Sequence, residues 1–103
     1  MIKIEATRKN GKIVSLSVKG HANSAPKGED LVCAAVSSIL VGGCNALNRP
    51  NCFAIKLDSG DASIKELDHA NEHDYEVLEI MLVQFKTIEE SYGKFLQIIE
   101  KGN

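Results

Sequence analysis

The order of local patterns in this chain predicts an α+β fold. Two short alternating segments come first, then a helical pattern, two more alternating segments and a second helical pattern. That order, ββαββα, makes a small sheet packed by two helices in a two-layer arrangement. At 103 residues the chain has room for one domain, 1–103. Apolar content of 44% and charged content of 25% are those of an ordinary globular protein. Trp is absent, so the core must be built from Ile, Leu and Val.

Ile2, Ile4 and Ala6 alternate with Lys3, Glu5 and Thr7, which is a strand buried on one face. Val14, Leu16 and Val18 alternate with Ser15, Ser17 and Lys19 and predict its hairpin partner. Asn10-Gly11 is a two-residue turn signal, but that register sets Ile4 opposite Ser17. A three-residue loop, Lys9-Asn10-Gly11, instead pairs Ile4 with Leu16 and Ile2 with Val18, and packing favours it.

A polar loop over 20–29 follows, with little to bury, and is expected to be mobile with Gly20 and Gly28 as hinges. The first helix is expected from Asp30 to about Leu47, stopped by Asn48-Arg49-Pro50-Asn51. Its Gly42-Gly43 pair costs about 1 kcal/mol per glycine relative to Ala, so a close helix or sheet contact is expected there. Phe53, Ile55 and Leu57 alternate in a third strand, with Cys52 at its edge. After the Ser59-Gly60-Asp61 turn, 62–67 forms a shorter fourth strand.

From about 72 to 101, Leu78, Met81, Leu82, Phe85, Ile88, Tyr92, Phe95, Leu96 and Ile99 recur at helical spacing, ending near Gly102. A helix of that length reaches over about 40 Å, more than a globule of this size needs. Its overhanging apolar face predicts a homodimer.

The chemistry concentrates between Gly20 and Ser37. Asp30 is a good N-cap, because its carboxylate can accept from the first-turn N–H groups. Cys33 then falls near the third helical position, where aligned peptide dipoles favour an anion, and the thiolate is the reactive form of a cysteine. His21, at the end of the second strand, is a candidate to take the thiol proton. Asp30, Cys33 and Ser37 share one stripe beside the apolar stripe of Val32, Val36 and Leu40, and are expected to floor a cleft. Each residue also has an ordinary reading: Cys33 packed, His21 on the surface, Asp30 only a cap, Ser37 solvated.

Gly20-His21-Ala22, Gly28-Glu29-Asp30 and Leu31-Val32-Cys33-Ala34-Ala35-Val36-Ser37 together resemble the bacterial ribosomal-processing cysteine protease family, Prp. The resemblance implies a Cys33 nucleophile and a His21 general base, with Asp30 and Ser37 supporting them. Gly20, Ala22, Asn23 and Gly28 are the expected substrate contacts. The implied substrate is an N-terminal extension of a large-subunit ribosomal protein. Where the family pattern calls for an aromatic residue before the loop glycine, this chain has Lys27, a difference that bears on substrate contact.

A net charge of −2 argues against gripping nucleic acid through its phosphates. No apolar signal core opens the chain and no run is long enough to span a bilayer, so a cytosolic enzyme with reduced thiols is expected. Cys33, Cys44 and Cys52 lack a zinc spacing. His69 and His73 at i, i+4 read as a polar helix start, and no metal or cofactor is expected. The rival readings are a non-catalytic ribosome-associated or protein-binding module with a buried Cys33, and a thiol switch, disfavoured by the absence of a nearby resolving cysteine.

Overall fold

The computed structural model of the chain describes residues 1–21 and 30–103. Its elements are β1 (Ile2–Lys9), β2 (Lys12–Lys19), α1 (Leu31–Ala46), a 3-10 turn (Pro50–Cys52), β3 (Phe53–Asp58), β4 (Asp61–Glu66), α2 (Glu72–Tyr92) and β5 (Leu96–Gly102). The sheet runs β3-β4-β2-β1-β5 and is antiparallel except where β5 joins β1 in parallel. The α+β class and the two helices on one small sheet are as expected; the fifth strand is not.

One sheet face presents Ile2, Ile4, Ala6, Leu16, Val18, Ala62, Ile64 and Leu96, all buried. Against it lie Val32, Val36 and Leu40 of α1 and Leu78, Met81, Leu82 and Phe85 of α2. The opposite face carries Lys3, Glu5, Ser15, Ser17, Ser63 and Lys65, none of them buried. Period-two alternation is therefore what decides the layering.

The first hairpin corrects the expected register and explains why both sequence signals were present. Asn10 and Gly11 form the two-residue turn, with φ of 54° and 78° as a type I′ turn demands. Lys9 pairs with Lys12 and Arg8 with Ile13, and then the register slips by one between Thr7 and Arg8. Beyond the slip Ala6 pairs with Leu16 and Ile4 with Val18. An extra residue, Val14, is accommodated as a bulge, so Ile13 and not Val14 enters the core. The turn dipeptide wins, and apolar residues still meet across the strands, but as Ile4 with Val18 and Ala6 with Leu16 and not as the expected Ile4 with Leu16.

The segment after Tyr92 is the second correction. The helix expected to reach residue 101 stops at Tyr92, with Gly93 as its C-cap, and Phe95 N–H returns to the Tyr92 carbonyl at 2.9 Å. Leu96 to Gly102 then run beside β1, pairing Ile2 with Leu96 and Ile4 with Ile98. The spacing of Phe95, Leu96 and Ile99 fits a helix, whereas the strand's inward face is set by Leu96 and Ile98, two residues apart, and Ile99 falls beside Glu5 on the other face. β1 offered an unpaired edge, and β-branched Ile98-Ile99 suits it. At 21 residues α2 spans about 32 Å, shorter than the 40 Å long axis of the molecule, so the length from which an overhang was expected is not reached.

Smaller differences follow from position in the sheet. β3 is an edge strand, so Ile55 and Leu57 stay 36% and 46% exposed despite their alternation. Cys52 belongs to the 3-10 turn and not to the strand edge; it is buried, and its carbonyl accepts from Leu67 and Asp68. The glycine pair of α1 divides in two. A Cβ on Gly43 would press against Met81 of α2, whereas one on Gly42 would meet nothing within 4 Å. The expected close helix contact exists, through Gly43 alone.

Candidate active site

Asp30 sits at the N-cap of α1, its Oδ1 accepting from the Cys33 N–H at 3.0 Å. The Asp30 carbonyl accepts from Ala34 N–H at 3.1 Å. Cys33 is thus the third helical residue, half-buried, with Ser37 one turn further on and exposed. The cap engages the Cys33 amide, and Leu31 and Val32 carry the other N–H groups at the head of the helix. Asp30 is thus the N-cap of the helix that carries Cys33.

A cavity of about 210 Å³ opens between α1 and the β3–β4 turn. Cys33, Ser37, Leu40 and Val41 form one wall, and Gly20 and His21 enter from the end of β2. Leu57 through Ala62 close the other side. Of the eight residues expected at the site, Gly20, His21, Cys33 and Ser37 share this cavity, and Asp30 caps the helix that carries two of them. Ala22, Asn23 and Gly28, together with the hinge motion expected of 22–28, lie outside the described residues.

Sequence reasoning missed the β3–β4 turn, read there only as a connector. Pairing of β4 with β2 carries it to the mouth of the site: Lys19 pairs with Asp61, and the Gly20 N–H donates to the Gly60 carbonyl at 2.9 Å. No local pattern encodes that neighbourhood. The turn also brings Asp61, whose carboxyl is held below the usual range by its hydrogen bond to Lys56 at 2.6 Å, helped by Lys19 at 3.6 Å. The two ammonium groups largely neutralise this edge of the cavity.

The remaining candidates separate from the site. Burial pushes the Cys44 thiol up, consistent with a packing role near the α1–α2 contact. His73 Nε2 lies 2.9 Å from the Ala46 carbonyl at the end of α1, while His69 faces the Tyr75 hydroxyl at 3.3 Å. The two imidazoles serve different partners. Among the described residues no group of three His, Cys, Asp or Glu side chains is arranged to hold a metal ion, and no helix is long and apolar enough to cross a membrane.

A thiol at a helix head and an imidazole at a strand end, opening on one cavity, have the parts of a thiol hydrolase. The family model described as cysteine protease Prp matches residues 1–97, and the chain is a cysteine protease. Ribosomal processing cysteine protease Prp of Staphylococcus aureus is 33% identical over 106 aligned positions, covering 95% of this chain and 97% of that one. The Bacillus subtilis protein of the same name is 34% identical, covering 95% and 96%. The crystal structure of S. aureus Prp with a covalently linked product peptide superposes with a TM-score of 0.87 at 31% identity, covering 98% of this chain and all of that one. The same S. aureus protein with a substrate peptide gives 0.82 at 30% identity over the same shares. This chain belongs to the Prp family.

Proposed function

We propose that this protease removes an N-terminal extension from a bacterial large-subunit ribosomal protein by a Cys–His mechanism. The observation that carries the proposal is that Cys33, at the head of α1, and His21, at the end of β2, line one cavity in a chain of the Prp family. The processing role draws on the relatives, which are named ribosomal processing proteases.

In this reading His21 takes the Cys33 proton and the thiolate adds to the scissile carbonyl carbon. The carbonyl oxygen becomes an oxyanion, for which the Leu31 and Val32 N–H groups are the assigned donors. As the tetrahedral adduct collapses, the C–N bond breaks and His21 returns its proton to the departing amine. Water, deprotonated by His21, then releases the acyl group from sulfur and regenerates the thiol. Ser37, one turn from Cys33, lines the same wall and is assigned a supporting contact. The apolar side chains of Leu40, Val41 and Leu57 suit an extended apolar stretch of substrate. With a net charge of −2 the enzyme engages the protein substrate and not RNA, in the cytosol.

The test is incubation with the same organism's ribosomal protein bearing its intact N-terminus, cleavage being read by mass. Cys33→Ala is expected to lose activity by on the order of 10³-fold or more, and His21→Ala by about 10²–10⁴-fold, both remaining folded. Ser37→Ala should lose less. Cleavage by Cys33→Ala at the wild-type rate would refute the assignment.

A further inference from the structure

The imidazole of His21 rests on the β3–β4 turn, and we infer that Gly60 is a positioning residue for the catalytic base: its bare α-carbon is the seat on which the ring is held. This rests on the reading of His21 as general base given above. A Cβ built on Gly60 would stand 2.5 Å from His21 Nε2, 3.0 Å from Cε1 and 3.2 Å from Cδ2. Real carbon contacts begin near about 3.5 Å, so one edge of the ring occupies the space any side chain would need. The seat is tied to the chain segment it serves. Gly20 N–H donates to the Gly60 carbonyl at 2.9 Å, which carries the β2–β4 ladder one step past its last pair, Lys19 with Asp61. The backbone just before His21 and the surface beneath its ring are therefore fixed by the same residue.

Gly60 meets two separate demands, and the molecule contains a control for one of them. Its φ of +72° calls for glycine in the turn whatever lies nearby. Gly11, in the first hairpin, has φ of +78°, and a Cβ there would meet nothing within 4 Å. Substitution at Gly11 thus imposes the backbone cost without touching any side chain. Asn tolerates positive φ better than Ala does, so Gly60→Asn keeps the turn conformation while placing a Cβ under the ring.

The experiment compares Gly60→Asn, Gly11→Asn and His21→Ala by peptide cleavage and by the rate at which iodoacetamide alkylates Cys33. Iodoacetamide needs no peptide site, so its rate reports the thiol and its base rather than room for substrate. Gly60→Asn is expected to lose about 10²-fold in kcat, the scale of a small misplacement of a reacting group. Its Cys33 alkylation should slow toward that of His21→Ala, while Gly11→Asn stays within about threefold of wild type in both assays. If Gly60→Asn raises only KM and leaves alkylation unchanged, Gly60 merely spares space for substrate and the inference is overturned. It is equally overturned if the two asparagine variants behave alike. Should His21→Ala retain wild-type kcat, the reading of His21 as base fails first, separately from Gly60. If thermal melts show Gly60→Asn unfolded where Gly11→Asn is folded, Gly60 serves the stability of its turn and the inference is overturned.

Discussion

The helix that carries Cys33 contains two adjacent glycines in opposite circumstances, and replacing each by alanine separates helix propensity from packing. Both substitutions recover about 1 kcal/mol of intrinsic helix stability. At Gly42 nothing lies within 4 Å of the new methyl, so the full gain of about 1 kcal/mol should appear. For a chain of this size that raises Tm by about 4 °C. At Gly43 the methyl would stand 2.7 Å from Met81 Cε and 2.8 Å from Cγ, about 1 Å inside normal contact. Met81 is 1% exposed, so α1 must retreat or the side chain must leave its rotamer. Overpacking of this kind costs about 1–3 kcal/mol. Net of the propensity gain, Gly43→Ala should lose about 1 kcal/mol, leaving the two variants about 2 kcal/mol apart. The assay is thermal or urea unfolding of both variants and of the Met81→Ala pair. With Met81 truncated, Gly43→Ala should change sign and stabilise by about 1 kcal/mol, a coupling of about 2 kcal/mol. Equal stabilisation by the two substitutions in the parent chain would refute the close approach as the reason for glycine at 43.

Three further outcomes can be checked. Asp30→Asn keeps a competent cap and should hold stability within about 0.5 kcal/mol, whereas Asp30→Ala should lose about 1 kcal/mol; activity lost in Asp30→Asn at full stability would assign the carboxylate a charge role beyond capping. Burial, with the hydrogen bond to Glu66, raises the Tyr75 hydroxyl above its usual range, so this stabilisation is complete below pH of about 10 and is lost as pH rises through the raised value. The unfolding free energy of wild type should therefore fall more steeply above that pH than that of Tyr75→Phe, and parallel curves would count against it. A homodimer, no longer supported by helix overhang, is proposed on Ile80 and Val83, which are 56% and 60% exposed on α2. Sedimentation should then show Ile80→Lys with Val83→Lys as monomer where wild type is dimer, and a monomeric wild type ends the proposal.

Local periodicity and end signals made most of this molecule readable before any coordinates. Alternation in 2–6 and 53–57, the Asp30 cap and the Val32, Val36, Leu40 stripe needed only neighbours a few residues away. The G-H-A, G-E-D and L-V-C-A-A-V-S blocks together carried the family resemblance. What the string of residues left undecided was pairing. Whether Phe95 to Ile99 continued a helix depended on the open edge of β1 at the far end of the chain, and the bulge at Val14 depended on which face of β1 was buried. The seat of His21 on Gly60 exists only because β4 lies against β2. Such choices are made by strand edges and apolar faces competing for partners across the whole chain, and that competition is resolved in three dimensions.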